Sequence, residues 1–358
     1  MSDSDVDQPS STRGRVVRGL VSMAVVVAIF VGVLPRVADL SDVWRQISAM
    51  TGLEVVSLLL LASWNLATYT FVYMASLPGL RASQGLIVTE ASTAIANTVP
   101  GGAGFGIGVT WAMFSSWGFR RPEIALSVLV TGVWNIFAKL GLPVLALALV
   151  AVEGESTAGS VAAAGAGVVV IVGAVAVFAV MLRSEVGARR VGGGAERLAS
   201  RTLRLVGRPP VTGWEEAASE FRTTTNELLR TRWLALTVAT LVSHLTLYTV
   251  LLLTLRHVGV SEREVSFAAV LAAYAFVRLI SALPLTPGGL GVVELGLTAA
   301  LVAAGGEQAA VVAAVLVYRA LTYLLPIPVG AVAFLVWRNG AGARSGQLAG
   351  PATSSRAP

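Results

Sequence analysis

Five ionisable side chains fall inside stretches otherwise apolar enough for a lipid bilayer: Glu90, Lys139, Arg278, Glu294 and Arg319. A charge near mid-membrane costs about 2.5–3.5 kcal/mol, so five facing lipid would cost on the order of 12–17 kcal/mol. They must therefore face protein or water, or sit shallow, and Glu90 and Arg278 are the two expected to be shallow. Three bases and two acids leave one net positive charge, which suits a ligand bearing one negative charge. Arg278 precedes, and Glu294 lies within, a helix-breaking motif, "SALPLTPGGLGVVELGL" at 281–297. With Gly291 as N-cap, Glu294 stands at N3, where its carboxylate reaches back to the cap amide and complements the positive end of the helix dipole. Its other reading is a ligand-linked role. Arg319, in "VLVYRALTYLLPIPVG", fits either a buried ion pair with Glu294 or a bidentate phosphate contact that a lysine cannot imitate. Lys139 fits a binding role or a snorkelling one. Arg278 precedes Pro284 near the end of its half-helix, where the dipole alone favours a cation.

Two glycine turns share a pattern. PGGAG supplies Pro100, Gly101, Gly102 and Gly104, and PGGLG supplies Pro287, Gly288, Gly289 and Gly291. Such a turn frees backbone N–H groups and aims the following half-helix's positive end at one place, a ready anion site. It also serves as a tight turn that packs two half-helices closely, and both readings hold together. Elsewhere the chemistry is sparse. The chain has no cysteine, which excludes disulfides and thiolate nucleophiles. His244 and His257 have no ligand-spaced partner, so no metal site and no cofactor are expected. His244 reads as a satisfied interhelical donor. Without a P-loop or an intramembrane Ser–His–Asp set, the chain is not expected to be an enzyme. Asn65, Tyr69 and Tyr73 form a polar stripe of the kind that joins helices.

The elements that must position these residues are membrane helices. Of 358 residues, 55% are hydrophobic and 13% charged, against roughly 25% charged in soluble domains. The mean hydropathy is +0.76. Apolar blocks lie at about 16–37, 53–77, 84–119, 123–151, 158–182, 233–255, 267–304 and 308–337. Six are single-span candidates, since about 20 residues cross a bilayer core. The blocks 84–119 and 267–304 are broken at their centres by the two glycine turns, and each half is short for a crossing. They read as re-entrant helical hairpins, whose broken backbone is tolerated only inside protein or beside a wet cavity. The fold class is thus all-α integral membrane, with about six transmembrane helices and two re-entrant hairpins.

Setting PGGAG over PGGLG, an offset of 187 residues, also lays Val128–Val130 over Val315–Val317. The arrangement predicts two units, 53–151 and 233–337, of opposite orientation, as in secondary transporters. In that register Glu294 matches Ile107, so the scaffold alone does not demand an acid. Arg13, Arg15 and Arg18 put the N-terminus inside, as do Arg338 and Arg344 the C-terminus. The layout is a disordered cytoplasmic 1–18, a membrane domain 19–337, and a disordered cytoplasmic tail 338–358. A cytoplasmic arginine-rich loop, 183–232, carries a possible amphipathic helix facing anionic headgroups. The arginine, alanine, valine and glycine bias suggests a GC-rich bacterial source, and hence a bacterial plasma membrane.

With "LPLTPGGLGVVELGL" and "VYRALTYLLPIPVG" together, the chain resembles the lysylphosphatidylglycerol synthase transmembrane family, a flippase-like membrane domain found alone or joined to an aminoacyl transferase. The motif P-G-G-x-G-x-x-E maps onto Pro287, Gly288, Gly289, Gly291 and Glu294, and the downstream arginine onto Arg319. The resemblance implies movement of an anionic phospholipid or lipid-linked headgroup between leaflets. No room for a transferase domain is expected after the last span. Two other functions compete: a non-transporting scaffold for a lipid or envelope-synthesis enzyme, binding through 183–232, and a proton-coupled carrier using Glu294 and Glu90. Membrane lipids are the expected partners, and nucleic acid is not.

Overall fold

The computed structural model describes residues 40–99, 102–154, 158–205, 207, 209–282 and 286–348. The first apolar block, 16–37, lies outside them, as do Pro100 and Gly101. Among the described residues the structure is helical, with no strand. Helix α1 (Leu40–Ser48) leads into α2 (Gly52–Ser76), which opens on a capping box between Thr51 and Glu54. Helices α3 (Ala82–Thr98) and α4 (Gly102–Ser116) form the first broken pair, followed by α5 (Arg121–Val152). Then come α6 (Ala158–Arg183), α7 (Glu185–Leu205) and α8 (Trp214–His257). The second broken pair is α9 (Phe267–Ile280) and α10 (Val292–Ala303), with a 3-10 turn at Pro287–Gly289 between them. Helix α11 (Gln308–Arg319) passes through a π-turn (Ala320–Leu324) into α12 (Pro326–Leu348). Pro326 and Pro328 supply no amide hydrogen to the helix ladder, a local cause for the interruption.

Five described segments are long and apolar enough to cross a membrane: Gly52–Ser76, Arg121–Val152, Ala164–Arg183, Trp214–His257 and Gln308–Gly340. They match five of the six single spans expected, the sixth being the block outside the described residues. None of the most apolar window of α6 is buried by protein. A valine-rich surface of that kind requires a lipid neighbour. The protein is therefore a multi-pass membrane protein. By contrast α3, α4, α9 and α10 have 17, 15, 14 and 12 residues. At 1.5 Å per residue they reach about 18–26 Å, short of a hydrocarbon core of about 30 Å.

The segment 183–232, expected as an arginine-rich loop with a possible amphipathic helix, is helical over most of its length. It is α7 followed by the first part of α8, packed on each other. Gly192 and Gly193 permit this: a Cβ on Gly192 would strike the Trp214 carbonyl, and one on Gly193 the Glu215 carboxylate. Charge composition marked this segment as polar, while the close approach of two backbones depends on tertiary contact.

The offset of 187 reappears in the element bounds. It carries the first residue of α5, Arg121, onto the first of α11, Gln308, and the last of α4, Ser116, onto the last of α10, Ala303. The helices α2 and α8 run antiparallel, since Ser57 Oγ meets His257 Nε2 at 2.9 Å and Asn65 Nδ2 donates to Ser243 O at 3.2 Å. Packing is reciprocal: α12 lies on α3, and α5 lies on α9. The stripe at Asn65, Tyr69 and Tyr73 joins helices as expected. Asn135 Nδ2 donates to Tyr69 Oη at 3.0 Å, and Tyr73 meets Phe114 edge to face.

Candidate functional site

Each glycine turn meets its ligand-free task differently. In the first pair, Gly102 and Gly106 sit one helical turn apart on the α4 face against α3. A Cβ on Gly102 would strike the Ala96 backbone, and one on Gly106 would lie 2.9 Å from Ser92 O. This is close backbone packing through small residues. Gly104 lies on the exposed side with nothing within 4 Å of a built Cβ.

In the second pair the glycines bend the chain. Gly288, Gly289 and Gly291 have φ of 55°, 70° and 80°, values that L side chains seldom adopt. Thr286 Oγ1 donates to Leu290 O at 2.8 Å and steadies the turn that Pro287 opens. Gly291 is the N-cap of α10, and its amide donates to Glu294 Oε2 at 2.6 Å. The other carboxylate oxygen, Oε1, accepts from Arg319 Nε at 2.6 Å, with the two side chains 2% and 12% exposed. Glu294 therefore does both things its position allowed: it caps α10 and pairs with Arg319.

Arg319 makes three contacts. Besides Glu294 it donates through Nη2 to Gly288 O at 3.1 Å, and its Cζ lies 4.6 Å from the centre of the Tyr323 ring. That distance places the cation within the range of a π interaction. Tyr323 then ties the centre to the first hairpin. Its hydroxyl donates to Asn97 O at 2.7 Å, and Asn97 Nδ2 donates to Tyr323 O at 3.3 Å. The Asn97 carbonyl is available because α3 ends at Thr98, and the last carbonyls of a helix have no partner within it. Gly288 lies between: a Cβ there would run into the Tyr323 ring and sit 3.1 Å from Asn97 Oδ1. The tips of the two broken pairs thus meet at Gly288, Glu294, Arg319, Tyr323 and Asn97.

Asn97 and Tyr323 were not among the residues singled out from sequence. Signals for both exist: Asn97 is a polar residue next to a helix break in an apolar block, and Tyr323 stands four residues after Arg319. An i, i+4 spacing puts two side chains on one helical face.

The other three charges lie elsewhere. Glu90 is 2% exposed, and neither carboxylate oxygen has a hydrogen-bond partner. Its backbone carbonyl faces Gly330 of α12, where a Cβ would collide with it. Arg278 has an unpartnered atom as well. It is eleven residues into α9, about 17 Å along the helix from Phe267, and its Nε is buried without an acceptor. Lys139, on α5, is half-buried, and neither it nor Arg278 forms an ion pair among the described residues. His244 departs from the interhelical donor expected of it. Its Nδ1 lies 3.0 Å from Thr240 O of its own helix, and Nε2 is buried without a partner. The interhelical bond at this residue is instead made to its backbone carbonyl, by Tyr274 Oη at 2.9 Å. Among the described residues no group of three acidic, histidine or cysteine side chains could hold a metal.

No curated protein matches this sequence. A family model does: the one described as the lysylphosphatidylglycerol synthase TM region covers residues 19–330, including both broken pairs, Glu294 and Arg319. With that match over most of its length, the chain belongs to the lysylphosphatidylglycerol synthase TM region family.

Proposed function

We propose that the protein is a lipid translocator of a bacterial plasma membrane, moving an anionic phospholipid or lipid-linked headgroup between leaflets, and that it is not an enzyme. Family membership links it to membrane lipid metabolism or flipping, and the geometry favours the second. One observation carries the reading: a buried Glu294–Arg319 pair sits on a helix break where two broken helix pairs meet. Charges and strained backbone at membrane depth are retained where a polar path is built.

The two broken pairs are re-entrant hairpins, and the two units form an inverted-topology repeat. Arms too short to cross, the repeated bounds, the antiparallel α2 and α8, and the reciprocal packing of α12 on α3 and α5 on α9 all support this. Two units of opposite orientation can rock about a shared centre and expose it to each face in turn. Glu294 and Arg319 act as the latch of that centre. Arg319 holds Gly288, packs on Tyr323 and so couples the hairpin tips, and an anionic headgroup competes with Glu294 for it. Both termini are cytoplasmic, in line with the arginines at each end.

The test is transbilayer movement of fluorescent phosphatidylglycerol in proteoliposomes, read by quenching of outer-leaflet dye. Wild type should equilibrate the leaflets faster than empty vesicles, and Glu294→Gln with Arg319→Gln should slow it at least roughly tenfold, the value of one charge-assisted bond. Equal rates for wild type and empty vesicles would sink translocation and turn attention to the scaffold role.

A further inference from the structure

The charge of Arg319 is already matched by the Glu294 carboxylate, with further contacts to Gly288 O and the Tyr323 ring. The uncompensated positive charge lies elsewhere. Helices α5, α8 and α9 pack on one another pairwise, and each brings a basic group to the same place. Lys139 comes from α5, His244 from α8 and Arg278 from α9. The charge of Arg278 reaches Lys139, His244 and the hydroxyls of Tyr274 and Tyr318. Among the described residues neither Lys139 nor His244 pairs with a carboxylate. Tyr318 is also reached by Arg319 and Glu294, so the cluster is one side chain away from the latch.

The cluster is built and unfilled in its hydrogen bonding. Arg278 Nε and His244 Nε2 are buried without partners, and His244 is itself 4% exposed. Lys139 has no hydrogen bond among the described residues. A guanidinium with an unpartnered Nε and an ammonium without an acceptor match an oxyanion with several oxygens. Next in sequence to each cation begins an open apolar groove lined by Leu140, Pro143, Val144, Gly167, Phe276 and Leu279. Charge beside an open hydrocarbon groove fits an amphiphile better than a free ion.

We propose that Lys139 and Arg278 seat the phosphate of an anionic phospholipid, with an acyl chain lying along the groove between α5, α6 and α9. His244 Nε2 offers a lone pair to a headgroup hydroxyl. The assignment rests on the lipid-translocating reading, and it moves the resting site of the cargo from the latch to the adjoining cation pair.

Purified protein in neutral detergent is mixed with phosphatidylglycerol and phosphatidylcholine together, and bound lipid is weighed by native mass spectrometry. The variants are Lys139→Met, Arg278→Met and Lys139→Arg, each also followed by thermal unfolding and in the transbilayer assay. Wild type should prefer phosphatidylglycerol, and each methionine variant should lose that preference by roughly tenfold, the value of one charge-assisted hydrogen bond. Lys139→Arg should keep it, and excess inorganic phosphate should not displace the lipid. Removing an unpaired buried charge should leave the unfolding midpoint equal or raised. A lowered midpoint in both methionine variants would make the charges structural and overturn the seat. Unchanged preference in the methionine variants, with wild-type translocation, would overturn the seat and leave the translocator standing. Complete displacement by inorganic phosphate would make it a free-anion site and overturn the lipid assignment. Absence of both preference and translocation in wild type would overturn both.

Discussion

The two broken helix pairs share a plan and differ in what they do with it. In α3–α4 the glycines are consumed by packing: Gly102 and Gly106 bring α4 against the α3 backbone, and Ile107 points outward at 51% exposure. In α9–α10 the glycines take positive φ, the matching position is Glu294, and the carboxylate is capped, paired and buried. The first pair has its own acid, Glu90, but with no partner for either oxygen. One hairpin is thus a scaffold with an orphan carboxylate, and the other holds a satisfied charge network. A repeated architecture fixes where a helix breaks, and the side chains that arrive there decide whether the break becomes a site.

The sharpest way to break this contrast is to remove one member of the latch. Arg319→Met or Glu294→Leu alone leaves a buried charge unpaired and should cost about 3–5 kcal/mol, read as a lowered unfolding midpoint in detergent. The double change should recover most of that loss, whereas Ile107→Ala in the first pair should change the midpoint little. Gly288→Ala comes next, combining a left-handed backbone with a Cβ against the Tyr323 ring. It should cost about 2–4 kcal/mol while Gly104→Ala, with open space around it, is neutral or slightly stabilising.

Glu90→Met tests the orphan acid. Replacing a buried unpartnered carboxyl with an apolar side chain of similar length should raise stability by about 1–3 kcal/mol. Destabilisation would mean that Glu90 has a partner in the membrane-embedded protein, and the contrast between the hairpins would narrow. Tyr323→Phe is the mildest. It keeps the ring under Arg319 but loses the bond to Asn97 O, and should cost about 1 kcal/mol, measured by the same unfolding curves.

Much of this was legible in the chain. The glycine turns predicted both helix breaks, and Gly291 with Glu294 predicted a capped half-helix that the structure forms at 2.6 Å. Five expected spans coincide with described apolar helices. Less legible was which polar atoms find partners. Both Glu90 oxygens and Arg278 Nε are buried without partners, which nothing in the apolar blocks around them signals. His244 was expected to bond across helices, yet its side chain folds back so that Nδ1 meets Thr240 O one turn earlier on the same helix. The helical pairing within 183–232 depends on Gly192 and Gly193 meeting α8, which composition does not encode.

By itself the sequence determined the membrane class, the two breaks and the cap, because apolar length, turn chemistry and capping act over a few neighbouring residues. The tertiary structure decided which charges are satisfied. It joined Glu294 to Arg319 across 25 residues and Asn97 to Tyr323 across 226, and left Lys139 and Arg278 without an ion-pair partner among the described residues. Those outcomes depend on how each helix is rotated and which neighbour it packs against. Only the assembled helices fix that.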